Sequence, residues 1–240
     1  MEGTGFLATF AIEQLNSITY LLKMNLRVLY NVFLVRLGIR QILPSDYINA
    51  IPVVESNEPM VKLPDDEDFI KTDGKVFVGR KGVIDRLLKV AKDVSNRGYR
   101  LHIYQTYRSP KEQSERHASL YEELRKIYPS YDEKVILQMV NKRAAGVGGG
   151  HQTGGAVDLS LCDKDGKDLD MGTQYREHNI KTATHSKNLS DHQRNNRKIL
   201  LKAMQSAGFV NYPAEWWHFC YGDKMWAAYS NKKVALYDVL

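Results

Sequence analysis

Gly146-Val147-Gly148-Gly149-Gly150-His151-Gln152-Thr153-Gly154-Gly155-Ala156-Val157-Asp158-Leu159-Ser160-Leu161 is the stretch on which the reading of this chain turns. Its glycines first suggest a phosphate loop. A P-loop, however, continues with Lys and then Ser or Thr, and a dinucleotide fingerprint needs glycine where His151 stands. What the stretch delivers instead is an imidazole on a glycine-dense loop, Gly146 to Gly150, and a carboxylate seven residues later. Ala156 to Leu161 has the composition of an apolar strand interrupted by Asp158. A carboxylate there is costly unless something pairs with it.

His and Asp together are donors suited to zinc, and a catalytic zinc takes three protein ligands and keeps one position open. Glu215-Trp216-Trp217-His218 supplies the third donor. On this reading His151, Asp158 and His218 hold one Zn2+ per chain, and Glu215 is the general base toward an attacking water. The alternative is a core carboxylate at Asp158 and two core tryptophans. His178, His185 and His192 recur every seven residues, but their segment lacks a helical apolar face, so they read as solvated histidines.

Outward from this stretch, Lys81 to Arg97 carries apolar residues at Val83, Ile84, Leu87, Leu88, Ala91 and Val94, the spacing of a helix with one buried face, stopped by Gly98. Tyr99 to Tyr107 alternates as a strand. Pro110 opens a helix capped by Ser109 and running to about Ile127, and Asp132 to Ala145 forms another. Cys162 to Ser190 is polar and loop-like, Asp191 caps a helix ending near Gly208, and a last strand covers Trp216 to Tyr221. Helices and short strands without regular alternation predict an α+β fold, a mainly antiparallel sheet flanked by helices.

Residues 1–43 form an amphipathic extension, and 44–240 the catalytic domain. An irregular, Pro- and Asn-rich wrap from Leu43 to Asp68, with the acidic run Asp65 to Asp68, opens the domain. The apolar runs of the extension are cut by Glu13, Lys23, Arg27 and Arg36, so it holds no transmembrane segment and makes a poor secretion signal. It would pack on the domain or a partner, or lie on a membrane surface as a peripheral contact. The cytoplasm is therefore favoured over the periplasm or cell envelope.

The 240 residues carry 34 Lys and Arg against 28 Asp and Glu, a net +6 that is scattered rather than striped, which excludes nucleic acid as a partner. Cys162 and Cys220 lack Cys-x-x-Cys spacing and make neither a disulfide scaffold nor a thiolate zinc site. Oligomeric state has no signature in the sequence.

The segment His151 to Asp158 followed by Glu215-Trp216-Trp217-His218-Phe219 resembles the zinc D-alanyl-D-alanine dipeptidases and D,D-carboxypeptidases, peptidase family M15. The resemblance covers Ile51 to Tyr221 and implies the α+β fold shared with the hedgehog signalling domain, with zinc on one face of the antiparallel sheet. It implies His151, Asp158 and His218 as zinc ligands, Glu215 as base, and Arg108 of Thr106-Tyr107-Arg108-Ser109 facing the substrate carbonyl. Asp170 in Asp170-Met171-Gly172-Thr173 resembles the dipeptidase carboxylate that pairs with the free amino group of the substrate, an anion expected to be buried. Glu215 to Phe219, Tyr221-Gly222-Asp223 and Asp170 to Gly172 favour the dipeptidase branch, whereas Tyr107-Arg108-Ser109 and Gln113 are closer to the carboxypeptidase branch. Gly149 stands where dipeptidases commonly have Ser.

The resemblance thus implies a small-peptide substrate: D-alanyl-D-alanine or a related cell-wall dipeptide, alternatively a peptidoglycan stem. A zinc-fold binding or signalling protein without turnover is the third reading, and the intact Glu215 weighs against it.

Overall fold

The structure, a computed structural model, describes residues 26–64, 68–143 and 149–240. Residues 1–25 of the extension, most of the acidic run and most of the glycine-dense loop lie outside these. Seven strands and seven α-helices occur among the described residues. The strands are β1 (Met60–Lys62), β2 (Ile70–Lys71), β3 (Val78–Arg80), β4 (Tyr99–Gln105), β5 (Ala156–Asp163), β6 (Val210–Asn211) and β7 (His218–Cys220). The helices are α1 (Leu26–Arg36), α2 (Ser45–Asn49), α3 (Lys81–Ser95), α4 (Pro110–Ile127), α5 (Glu133–Arg143), α6 (Asp191–Ser206) and α7 (Lys224–Tyr229).

The main sheet has the order β2-β4-β5-β7-β6, parallel only between β2 and β4, while β1 and β3 form a separate antiparallel pair. This is the α+β arrangement expected, with the sheet mainly antiparallel. Successive strand residues point to opposite faces. Leu101 and Ile103 of β4 and Val157, Leu159 and Leu161 of β5 therefore share one core with Val83, Leu87, Val90 and Val94 of α3 and Leu200, Ala203 and Met204 of α6. The alternate residues, among them Asp158 and Ser160, face the other way, and Asp158 contributes to the site.

The chemistry of the element ends matches the sequence. Ser109 caps α4 with a capping box through Glu112, and Pro110 sits in the first turn. Gly98 adopts φ +81°, as a helix stop before β4 requires. In α6 the cap is Ser190, not Asp191: the Ser190 hydroxyl accepts from Gln193 N, and Asp191 falls in the first turn. The wrap before β2 is less irregular than expected, holding α2 and β1, and Trp216 and Trp217 precede β7 in a turn rather than within a strand.

Helix α1 is apolar on two sides. Val32 and Val35 pack toward α7 and Leu43, and Arg36 Nη2 donates to Ala228 O at 2.7 Å, while Leu26, Tyr30, Phe33 and Leu37 are exposed. No helix among the described residues is long and apolar enough to cross a membrane.

Candidate metal centre

Sheet register does most of the assembly. In the β5–β7 pair Asp158 stands directly opposite His218, so residues sixty apart in sequence meet side by side. His151 lies on a 3-10 turn, Gly150–Thr153, that ends on Gly154 at φ +72°, a left-handed conformation that suits glycine and aims the turn into β5. The chain leaving β4 holds that turn: Arg108 N donates to His151 O at 3.1 Å, and His151 Nδ1 donates to Thr106 O at 2.6 Å.

That second bond fixes the imidazole tautomer and leaves His151 Nε2 free to ligate. His151 Nε2 lies 3.2 Å and His218 Nδ1 2.9 Å from Asp158 Oδ1. One donor atom from each of the three residues lies within 4.8 Å of the others. Tetrahedral zinc with bonds of about 2.0–2.2 Å separates its ligand atoms by roughly 3.3 Å, near the two Asp158–histidine separations, so the donor set suits that ion. Asp158 Oδ2, the oxygen not shared with the histidines, accepts from Tyr175 Oη at 2.8 Å.

Electrostatics follow from burial. Burial alone would raise the Asp158 carboxyl, but the charge and hydrogen bonds of His151 and His218 hold it well below the usual carboxylate range. Burial depresses His151; for His218 burial is overcome by the Asp158 hydrogen bond and charge, with Glu215 and Asp223 adding to the rise. Glu215 is held next to the site because His218 N donates to Glu215 O, closing a turn just before β7. Burial pushes its carboxyl up to about 7, against the pull of His218 and Arg116. A carboxyl poised there can exchange a proton near neutrality.

Arg108 is 8% exposed, and its Nη1 donates to Gln113 Oε1 at 2.6 Å. It lines a cavity of about 480 Å³ whose other walls include Arg116 and Glu123 of α4 and Arg176 and His178 of the loop before α6. Arg108 lines it while its own backbone N donates to His151 O, so the cavity shares a residue with the segment that holds the His151 turn.

Asp170 does not join the triad and is not among the residues lining the cavity. It is exposed rather than buried as expected: Oδ1 accepts from Gly172 N and Oδ2 from Gln193 Nε2, both at 2.8 Å. His185 and His192 are exposed as expected, but His178 is half-buried, edge-on to Trp217 with ring centroids 5.6 Å apart. The seven-residue spacing of the histidines carried no sign of this.

Tyr175, Arg116 and Arg176 were also missed. Arg116 stands on α4, whereas Tyr175 and Arg176 depend on the course of the loop 164–190, which Arg197 of α6 pins by donating to Met171 O, Ala183 O and Lys181 O, each at 2.7 Å. Arg197, three residues before Leu200 on the face that α6 buries, was the available signal.

Residues 67–236 match the family model for peptidase M15, D-ala-D-ala dipeptidase. A D-alanyl-D-alanine dipeptidase of Synechocystis is 36% identical over 95 residues, covering 35% of this chain and 38% of the relative. That of Escherichia coli is 37% identical over 73 residues, 30% of this chain and 38% of the relative. The Enterococcus faecium dipeptidase is 27% identical over 157 residues, 62% of this chain and 75% of the relative. The first two matches thus span little more than a third of the relatives' length. Among solved structures, a zinc complex of the vancomycin-resistance D,D-pentapeptidase VanY aligns with TM-score 0.47 and 15% identity, covering 77% of this chain and 90% of that one. The LD-carboxypeptidase LdcB aligns at 0.45 and 17%, covering 80% and 90%.

Proposed function

The chain belongs to the D-ala-D-ala dipeptidase family, and from that premise we propose that it is a zinc metallopeptidase hydrolysing D-alanyl-D-alanine or a related cell-wall dipeptide. The single observation that carries this reading is the convergence of His151, Asp158 and His218 beside a part-buried Glu215. Zinc, when bound, would polarise the scissile carbonyl and bring the pKa of water toward about 7.

The chain's own residues account for the rest. Glu215, its carboxyl poised near neutrality by burial, takes the proton of the attacking water and passes it to the departing amine. Arg108, locked by Gln113 and by its own backbone bond to His151, faces the carbonyl and stabilises the charge that grows on its oxygen. Such a fixed donor contributes on the order of 3 kcal/mol to the transition state. Thr106 O and Tyr175 Oη orient His151 and Asp158 without touching substrate.

For the ammonium of a free dipeptide the proposal retains Asp170, which would have to release Gln193 to receive it. A D-alanyl-D-alanine carboxypeptidase acting on stem peptides needs no such exchange, and the exposure of Asp170 is the observation that favours it as the second reading. Mass spectrometry of the products from D-Ala-D-Ala and from N-acetyl-L-Lys-D-Ala-D-Ala separates the two. Cleavage of the free dipeptide supports the first. Release of D-Ala from the blocked tripeptide alone replaces it with the second, and cleavage of neither rejects both.

A further inference from the structure

The cavity beside the triad is walled on one side by α4. Arg116, Leu120 and Glu123 fall at i, i+4 and i+7, one face of the helix, with the wall beginning at Arg108 just before the cap. The opposite wall is the loop pinned by Arg197, which presents Arg176 at φ +65° with its guanidinium 4.7 Å from the Tyr175 ring centroid. Three guanidiniums, those of Arg108, Arg116 and Arg176, therefore line one small cavity.

Like charges gathered this way destabilise one another unless an anion is present. Arg108 and Arg116 are each held below the usual guanidinium range by burial and then by the charge of Arg176. Two carboxylates also line the cavity; the charge of Glu112 reaches Arg108, but neither makes an ion pair with the three arginines. Glu112 is committed to the α4 cap, accepting from Ser109 N at 2.8 Å and Ser109 Oγ at 2.7 Å, and Glu123 is exposed. Among the described residues, none of the three arginines has a carboxylate oxygen within ion-pair distance. Arg108, one of the three, donates through its backbone N to His151 O at 3.1 Å, which sets this wall beside the turn that carries a metal ligand.

We propose that Arg116 and Arg176, beside Arg108, form a subsite that selects peptides by a substrate carboxylate. The proposal rests on the peptidase reading and adds a specificity determinant to it. A planar guanidinium fork matches a carboxylate in two parallel hydrogen bonds, and three clustered guanidiniums without ion-pair partners raise the local positive potential. The same field disfavours an ammonium at this place. The carboxylate has two chemical sources, the terminus of the departing residue and an acidic group on the acyl side.

Isothermal titration of the zinc-loaded full-length chain with N-acetyl-D-alanine, N-succinyl-D-alaninamide and the neutral N-acetyl-D-alaninamide tests this. At least one acid should bind tenfold or more tightly than the neutral probe, and Arg116→Met and Arg176→Met should each abolish that preference. Preference for the first acid assigns the terminal carboxylate, and preference for the second assigns the acyl-side group. Equal binding of all three, or an acid preference untouched by both substitutions, overturns the subsite. Should a Met variant melt early, Arg116→Lys and Arg176→Lys must retain part of the preference; its complete loss with a parental melting point also counts against the fork. Binding is read without turnover, so a chain that shows the preference yet cleaves no D,D-peptide loses the peptidase reading and keeps the subsite.

Discussion

Replacing Arg197 with Met removes a charge of similar length from a position only 3% exposed, and the consequence can be worked from its bonds. Its Nε, Nη1 and Nη2 donate to Met171 O, Ala183 O and Lys181 O at 2.7 Å each, and burial already pushes its pKa down to about 10. Hydrogen bonds from a charged donor contribute about 1.5–3 kcal/mol apiece. The full sum overstates the loss, because the loop can lift and let its carbonyls meet water. We expect about 3–5 kcal/mol, a large fraction of the roughly 5–15 kcal/mol that holds a domain together.

Most of this loss should be local. Residues 164–190 contain no helix or strand, and Asn196 Nδ2, donating to Asp170 O at 2.9 Å, is among the few remaining ties from α6. Limited proteolysis should therefore cut within 164–190 at temperatures where the sheet is intact. Because Tyr175, Arg176 and His178 ride on that loop, KM should rise, while zinc affinity should fall no further than the loss of the Tyr175 bond to Asp158 explains, the three ligands themselves lying elsewhere. If the opening is global instead, the melting point drops by roughly 2–4 °C per kcal/mol. An Arg197→Met protein with the parent's melting point, protease resistance and KM would refute the reasoning.

Glu215→Gln should lower kcat by about 10²–10⁴-fold with zinc content unchanged; activity equal to the parent's would remove Glu215 from the mechanism. Tyr175→Phe deletes the hydrogen bond to Asp158 Oδ2 and should weaken zinc affinity or activity by about 10–100-fold, read by competition with a chelating dye. Loading zinc should release protons at pH 6. Glu215, raised to about 7 by burial, and His218, raised by Asp158 in spite of burial, both hold protons on the acid side that a nearby dication expels. Calorimetry in buffers of differing ionisation enthalpy measures that release, and no protons released at pH 6 contradicts it.

The parts of the fold legible in the sequence were those written in local chemistry. Helix α4 begins at Pro110 behind Ser109, and α3 buries Val83, Ile84, Leu87, Ala91 and Val94 as the spacing predicts, with Val90 buried in addition and Leu88 only partly so. The metal triad was legible for a different reason: Asp158 inside an apolar strand demanded partners, and β7 supplies His218 in register. What the sequence concealed depends on long-range pinning. Arg176 and His178 reach the cavity because α6 ties down a loop that has no periodicity of its own. Asp170 lies on that same loop, and its motif gave no hint that Gln193 and Gly172 would occupy its oxygens on the surface.

Zinc per chain, measured after equilibrium dialysis of the parent and of His151→Ala, Asp158→Ala and His218→Ala, tests the metal centre most directly. Three ligands around one ion require one zinc in the parent and a sharp loss of zinc in every variant. Parental stoichiometry and affinity in any of the three would contradict it.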